Sequence, residues 1–177
     1  MITITDTEHV VRMIFPDSLK KDGGVHPNAF KLRQCPAPKG PEQYVSVNRY
    51  ESEAFLYDVQ AFDKGRNLSC SLMVVGDIRA IRLFLDQTDD YPVLYDVRDT
   101  STQEHLSHAG IFISVSGMPL EGSGDAILNS IEEGKNKSKN LQAIRRMLSD
   151  LAAKKLMTVD AICSSRGYGD SAIALKY

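Results

Sequence analysis

Three short stretches each set a polar or ionisable side chain beside a small apolar pair: His26-Pro27-Asn28-Ala29-Phe30, Ser46-Val47-Asn48-Arg49 and His108-Ala109-Gly110. A site on a rigid sheet is often built this way, with the apolar residues held in the core and the polar group at a strand edge or loop. Histidine changes charge near neutral pH and serves as general acid or base, while arginine offers a planar fork of donors to a carboxylate or phosphate. The structural alternative is that the serine and arginines pair with carboxylates such as Glu51 or Glu53 and lock the loop of residues 17–41 onto the sheet.

Other patterns are incomplete. Glu104-His105-Leu106-Ser107-His108 puts two imidazoles three residues apart, but it is not H-E-x-x-H, and no third ligand stands at a recognised spacing. Asp86, Asp89, Asp90, Asp96 and Asp99 share the composition of a calcium loop without its central glycine or terminal glutamate. Gly122-Ser123-Gly124 imitates half of a dinucleotide fingerprint, with Ile127 where glycine or alanine is required. Neither G-x-x-x-x-G-K-[ST] nor G-x-S-x-G occurs, so no metal and no cofactor is expected.

The elements that must position these residues follow from apolar spacing. Met1 to Phe15 reads as one or two strands closed by Pro16, and residues 17–41, rich in Gly and Pro, read as loop around a buried patch at Ala29 and Phe30. Strands are expected at Tyr44 to Val47, Leu68 to Val75, Val93 to Val97, Ala109 to Val115 and Thr158 to Cys163. A helix is expected from the N-cap Ser52 to Lys64 with Gly65 closing it, burying Phe55, Leu56, Val59 and Phe62. Gly76-Asp77 opens a short helix or turn carrying Ile78, Ile81 and Phe84, and Asp125 caps another ending near Gly134. The clearest element is a helix from Ser138 to about Leu156, with Leu141, Ile144, Leu148 and Leu151 along one stripe. Strands and helices interleave without a repeating β-then-α unit, so the expected fold is α+β, a single domain over residues 1–177 with one mixed, mainly antiparallel sheet, packed helices and a basic amphipathic C-terminal helix.

Charge is distributed unevenly along the 177 residues. Residues 1–134 hold 12 basic and 20 acidic groups, whereas residues 135–156 hold Lys135, Lys137, Lys139, Arg145, Arg146, Lys154 and Lys155 against Asp150 alone. A net charge of -2 argues against a general nucleic-acid coat, so any such site would be local to the basic segment. Cations at a helix C-terminus favour the dipole, but Lys135, Lys137 and Lys139 precede or open the helix, where the dipole disfavours them. Three cysteines, Cys35, Cys70 and Cys163, lie far apart and suit a reducing compartment. No apolar run approaches the ~20 residues of a membrane helix, and a cytoplasmic location is expected.

The order of Arg12, Pro16, Ala29-Phe30, Ser46-Val47-x-Arg49 and His108-Ala109 before a basic C-terminal helix resembles a group of small bacterial proteins to which no activity attaches. Val45 stands where that group has leucine, and Leu106-Ser107 where it has Pro-Ala. The resemblance implies that Arg12, Ser46, Arg49 and His108 meet in space. They would then form an anion pocket, with Arg12, Ser46 and Arg49 binding and His26, Arg49 and His108 as catalytic candidates of a small transferase or phosphodiesterase acting on a phosphorylated or nucleotide-containing substrate. The first expectation is different: a binding or assembly component, of the kind found in multi-gene bacterial systems such as phage defence. It would contact a protein or nucleic-acid partner through Lys135, Lys137, Lys139, Arg145 and Arg146. A Lys135/Lys137/Lys139 triple alanine variant is expected to elute from heparin at lower salt than the parent; equal elution would separate these lysines from any binding surface.

Overall fold

The hexapeptide HVVRMI places apolar side chains on both sides of a strand, which demands a sheet covered on two faces. A computed structural model of the chain, describing residues 3–32, 42–85, 92–115, 118–119 and 137–166, has this arrangement. The strands are β1 (His9–Ile14), β2 (Val45–Arg49), β3 (Ser69–Val74), β4 (Leu83–Phe84), β5 (Pro92–Asp99), β6 (His108–Val115), β7 (Met118–Pro119) and β8 (Leu156–Thr158). They form one sheet in the order β4-β5-β6-β2-β1-β3-β8, with β7 paired to the end of β6. Every pairing among the described strands is antiparallel. The helices are α1 (Phe55–Asp63), α2 (Val75–Arg79), α3 (Lys137–Ala152) and α4 (Val159–Ser165).

The two faces carry separate cores. On one, Val10, Ile14, Val45, Val47, Ile111 and Val97 meet Ile144 and Leu148 of α3, Ile78 of α2, and Ala29 and Phe30 from the loop, as the buried patch at 29–30 required. On the other, Val11, Met13 and Cys70 meet Phe55 and Val59 of α1 and Val159, Ile162 and Cys163 of α4. Two buried hydroxyls fasten α3 to the sheet: Tyr95 donates to the Ile144 carbonyl and Ser71 to the Ala152 carbonyl, each at 2.8 Å. Burial pushes the Tyr95 phenol up, so it remains protonated and a donor.

Several expectations are corrected. The segment from Val159 is helix rather than strand: the Thr158 hydroxyl accepts from the Ala161 N–H at 3.3 Å, and Val159, Ile162 and Cys163 fall on one buried side. α1 begins at Phe55, with Ser52 holding the preceding turn through the Ala54 N–H. It ends on Lys64 in the left-handed region (φ 52°), because the buried Asp63 carboxylate draws in the N–H groups of Asn67 and Leu68 at 2.9 and 2.7 Å. Phe62 is 45% exposed, and Asp58 and Asp63 take the buried positions of that helix beside Phe55 and Val59. Phe84 lies in β4, and α3 stops at Ala152 in a 3-10 turn, Ala153–Lys155. The helix expected after Asp125 and the stretch 33–41 lie outside the described residues.

Gly110 of β6 marks a close approach. The Tyr44 ring lies where a side chain would stand, and a Cβ at 110 would meet the Tyr44 ring carbons at 2.6 and 2.7 Å. Gly110→Ala is expected to lower stability by about 1–3 kcal/mol through overpacking, and Tyr44→Ala in the same chain should relieve part of that loss, measured as melting temperatures across the double-mutant cycle.

Candidate functional site

Arg12 projects from β1 on the face of the large core, between Val10 and Ile14. Two of its donors go to backbone: Nη1 donates to the Ser46 carbonyl at 2.7 Å and Nη2 to the Ala29 carbonyl at 2.8 Å. These bonds join the loop carrying Ala29 and Phe30 to β1 and β2. The contribution of Ser46 to the Arg12 contact is therefore its carbonyl, while its side chain belongs to the opposite face, in register with Gly110.

Arg49 ends β2 opposite Val10. Its Nε and Nη2 donate to Oε2 of Glu8 at 3.2 and 2.8 Å, and both side chains are largely buried, at 13% and 15% exposure. Burial alone would raise the Glu8 carboxyl, but the Thr5 N–H and the Arg49 guanidinium together outweigh it and hold Glu8 below the usual carboxylate range. The partner of Arg49 is thus Glu8 rather than Glu51 or Glu53. Only the antiparallel register of β1 and β2, which brings the residue before β1 beside the end of β2, reveals it.

His26 is exposed and caps the 3-10 turn Pro27–Phe30, its Nδ1 accepting from the Asn28 N–H at 3.2 Å. His108 lies in register with Asn48, so its side chain leaves the sheet on the face opposite Arg49. Its Nδ1 stands 2.9 Å from the Thr100 hydroxyl, and the Tyr44 ring meets it edge-on at 5.9 Å. Burial lowers the His108 pKa, outweighing the Thr100 contact, so the ring is neutral at neutral pH. Arg12 and the Ser46 backbone come together, but Arg49 and His108 do not.

Other chemical groups are engaged locally. Asp58, 6% exposed, accepts from the N–H and the hydroxyl of Ser107, both at 2.7 Å, tying α1 to the turn before β6. Asp96 pairs with Arg79 and Arg98, each at 2.9 Å. Burial by itself would raise the Asp96 carboxyl; the two arginines bring it below its ordinary value. Burial pushes the Cys70 thiol up to about 12, with Cys163 and Asp63 adding to the effect, so it is no nucleophile at neutral pH. Among the described residues, no group of three or more His, Cys, Asp or Glu side chains is placed to hold a metal ion.

The basic helix divides into two sides. Ile144, Leu148 and Leu151 face the core, and Arg145, at 8% exposure, lies with them, which removes it from the outward set expected from sequence. Lys139, Gln142, Arg146, Asp150, Lys154 and Lys155 are exposed. Arg146 and Asp150 approach to 3.6 Å, both more than half exposed, a pair that water screens and that leaves the remaining cations unopposed. Lys135 lies outside the described residues, and Lys137 is placed only as the first residue of α3.

Among the described residues, no helix is long and apolar enough to cross a membrane. Compared with protein-family models, with curated proteins and with solved structures, the chain shows no significant match to any of them. The class defined here is therefore that of the fold: an α+β chain with one curled antiparallel sheet.

Arg49→Ala strands a largely buried carboxylate at Glu8 and is expected to lower the melting temperature at neutral pH. Because the Glu8 pKa is depressed in the folded state, the stability it lends is present above the unfolded value and lost as pH falls through the folded one. The gap between parent and variant should accordingly narrow below about pH 4, followed by thermal unfolding across an acid series.

Proposed function

We propose that this chain is a small cytoplasmic binding or assembly component, of a multi-gene bacterial system, that engages an acidic protein surface through the outer side of α3 and the 3-10 turn that follows it. The carrying observation is the exposed series Lys139, Arg146, Lys154 and Lys155, within which Asp150 is the one acidic residue of the stretch 139–155. Such a series steers an acidic partner and adds to the rate of encounter. A protein is favoured over nucleic acid because the rest of the chain is acidic and would repel an extended polyanion. The buried, unpaired thiols of Cys70 and Cys163 support a reducing location. The reading as a transferase or phosphodiesterase has less support, since Arg49 and His108 leave opposite faces of the sheet.

The test is native affinity purification of the full chain from its host at low and high salt, beside an Arg146→Glu/Lys154→Glu/Lys155→Glu variant. A stoichiometric acidic protein is expected with the parent, released by salt and recovered at least about tenfold less with the variant, since like charges across an interface repel strongly. Equal recovery by both forms, recovery of nucleic acid in place of protein, or recovery of the chain alone would overturn the reading.

A further inference from the structure

Three distant stretches converge at the start of β1, on the side of the sheet away from α3. His9 opens β1, Tyr50 and Glu51 follow β2, and Ser165 and Arg166 close α4. Glu51 grips His9 twice: one carboxylate oxygen accepts the backbone N–H at 2.9 Å, and the other meets ring Nδ1 at 2.8 Å. A carboxylate only accepts, so Nδ1 carries the proton and Nε2 is the ring nitrogen left to a ligand. Both side chains remain reachable, at 36% and 40% exposure.

Tyr50 touches both His9 and Arg166. Its ring stands edge-on to His9 at 6.2 Å, and the Arg166 guanidinium lies 5.2 Å from the same ring and 5.9 Å from that of Phe55. Ser165 donates its proton to the Ile162 carbonyl at 2.7 Å, so at 3.0 Å the Tyr50 hydroxyl donates to the Ser165 oxygen. A guanidinium held over aromatic rings keeps its in-plane donors for an acceptor at its edge. Arg166 places one of them 3.4 Å from the Ser52 carbonyl, a long bond. The Glu51 carboxylate is engaged by His9.

We infer that this cluster binds a phosphate monoester, with Arg166 pairing one phosphoryl edge and His9 Nε2 sharing a proton with another oxygen, while the Tyr50 ring flanks the organic group. A cationic fork beside a ring nitrogen whose partner nitrogen is already held by Glu51 suits a ligand that carries both charge and a proton it can share. A phosphate monoester, with a second pKa of about 6, is such a ligand; carboxylates and phosphodiesters are fully deprotonated near neutral pH. The site uses none of the residues of α3 and is independent of the reading given above.

The test follows the His9 ring resonance of the full chain by NMR, assigned by its loss in His9→Gln, during titration with inorganic phosphate and with phenyl phosphate. A saturable shift is expected with both, and none with dimethyl phosphate or acetate at equal ionic strength. Arg166→Gln should weaken binding about tenfold, as loss of a charge-assisted pair does. His9→Gln, read by calorimetry with inorganic phosphate, should weaken it to a similar extent. A His9 resonance that moves no further with phosphate than with sodium chloride overturns the inference, as does an Arg166→Gln or His9→Gln variant that binds like the parent, or an equal response to dimethyl phosphate.

Discussion

Val10 and Val11 are consecutive, point to opposite faces of β1, and are both fully buried. A strand in that position needs cover above and below, and the rest of the architecture follows from meeting that requirement. The chain supplies α3, α2 and the Ala29-Phe30 turn to one face, and α1 with α4 to the other. Arg12, fixed on the large-core face by the same alternation, has to satisfy a cation beside apolar neighbours. Two of its donors reach the carbonyls of Ser46 and Ala29, which draws the turn at residues 27–30 into the core wall.

The same constraint governs where positive charge becomes available. In the acidic first part of the chain, several arginines serve as ties. Arg79 reaches the Ile4 and Val97 carbonyls together with Asp6 and Asp96, Arg98 pairs with Asp96 and lies 4.8 Å from the Phe112 ring, and Arg49 holds Glu8. Each of these joins segments far apart in sequence or adjacent strands of the sheet. On α3, Lys139 and Arg146 instead stand on the side the core does not need and remain in solvent, whereas Arg145 lies with the core. The distinction between a structural and an interacting cation is therefore set by which side of an element packs.

Much of the fold was legible in the sequence. Alternation identifies β2, short apolar runs rich in β-branched and aromatic residues identify β5 and β6, and 3.6-residue spacing identifies α3. At α4 two signals compete: Thr158, Val159 and Ile162 are β-branched, while the 159, 162, 163 spacing and the threonine cap are helical, and packing against α1 decides for the helix. At Asp58 and Asp63, polarity suggested exposure, yet both carboxylates are buried because they collect backbone N–H groups from neighbouring turns. The candidate site was legible only as a set of residue types. Which arginine meets which carboxylate depends on strand register, and the separation of Arg49 from His108 depends on alternation across β2 and β6, neither of which residue spacing alone reveals.

The smaller core has a temporal consequence. It joins Val11 and Met13, near the beginning of the chain, to Ile162 and Cys163, near its end, through a β8 strand that pairs with β3 only after α3 has been passed. During synthesis, this face of β1 can take α1 as cover early but gains Val159, Ile162 and Cys163 only after α3 has emerged, whereas the opposite face can begin to collapse against α2 much earlier. A strand face only half covered for that interval is open to aggregation or to chaperone capture. The nascent chain is thus most vulnerable in the interval between the emergence of β3 and the docking of α4.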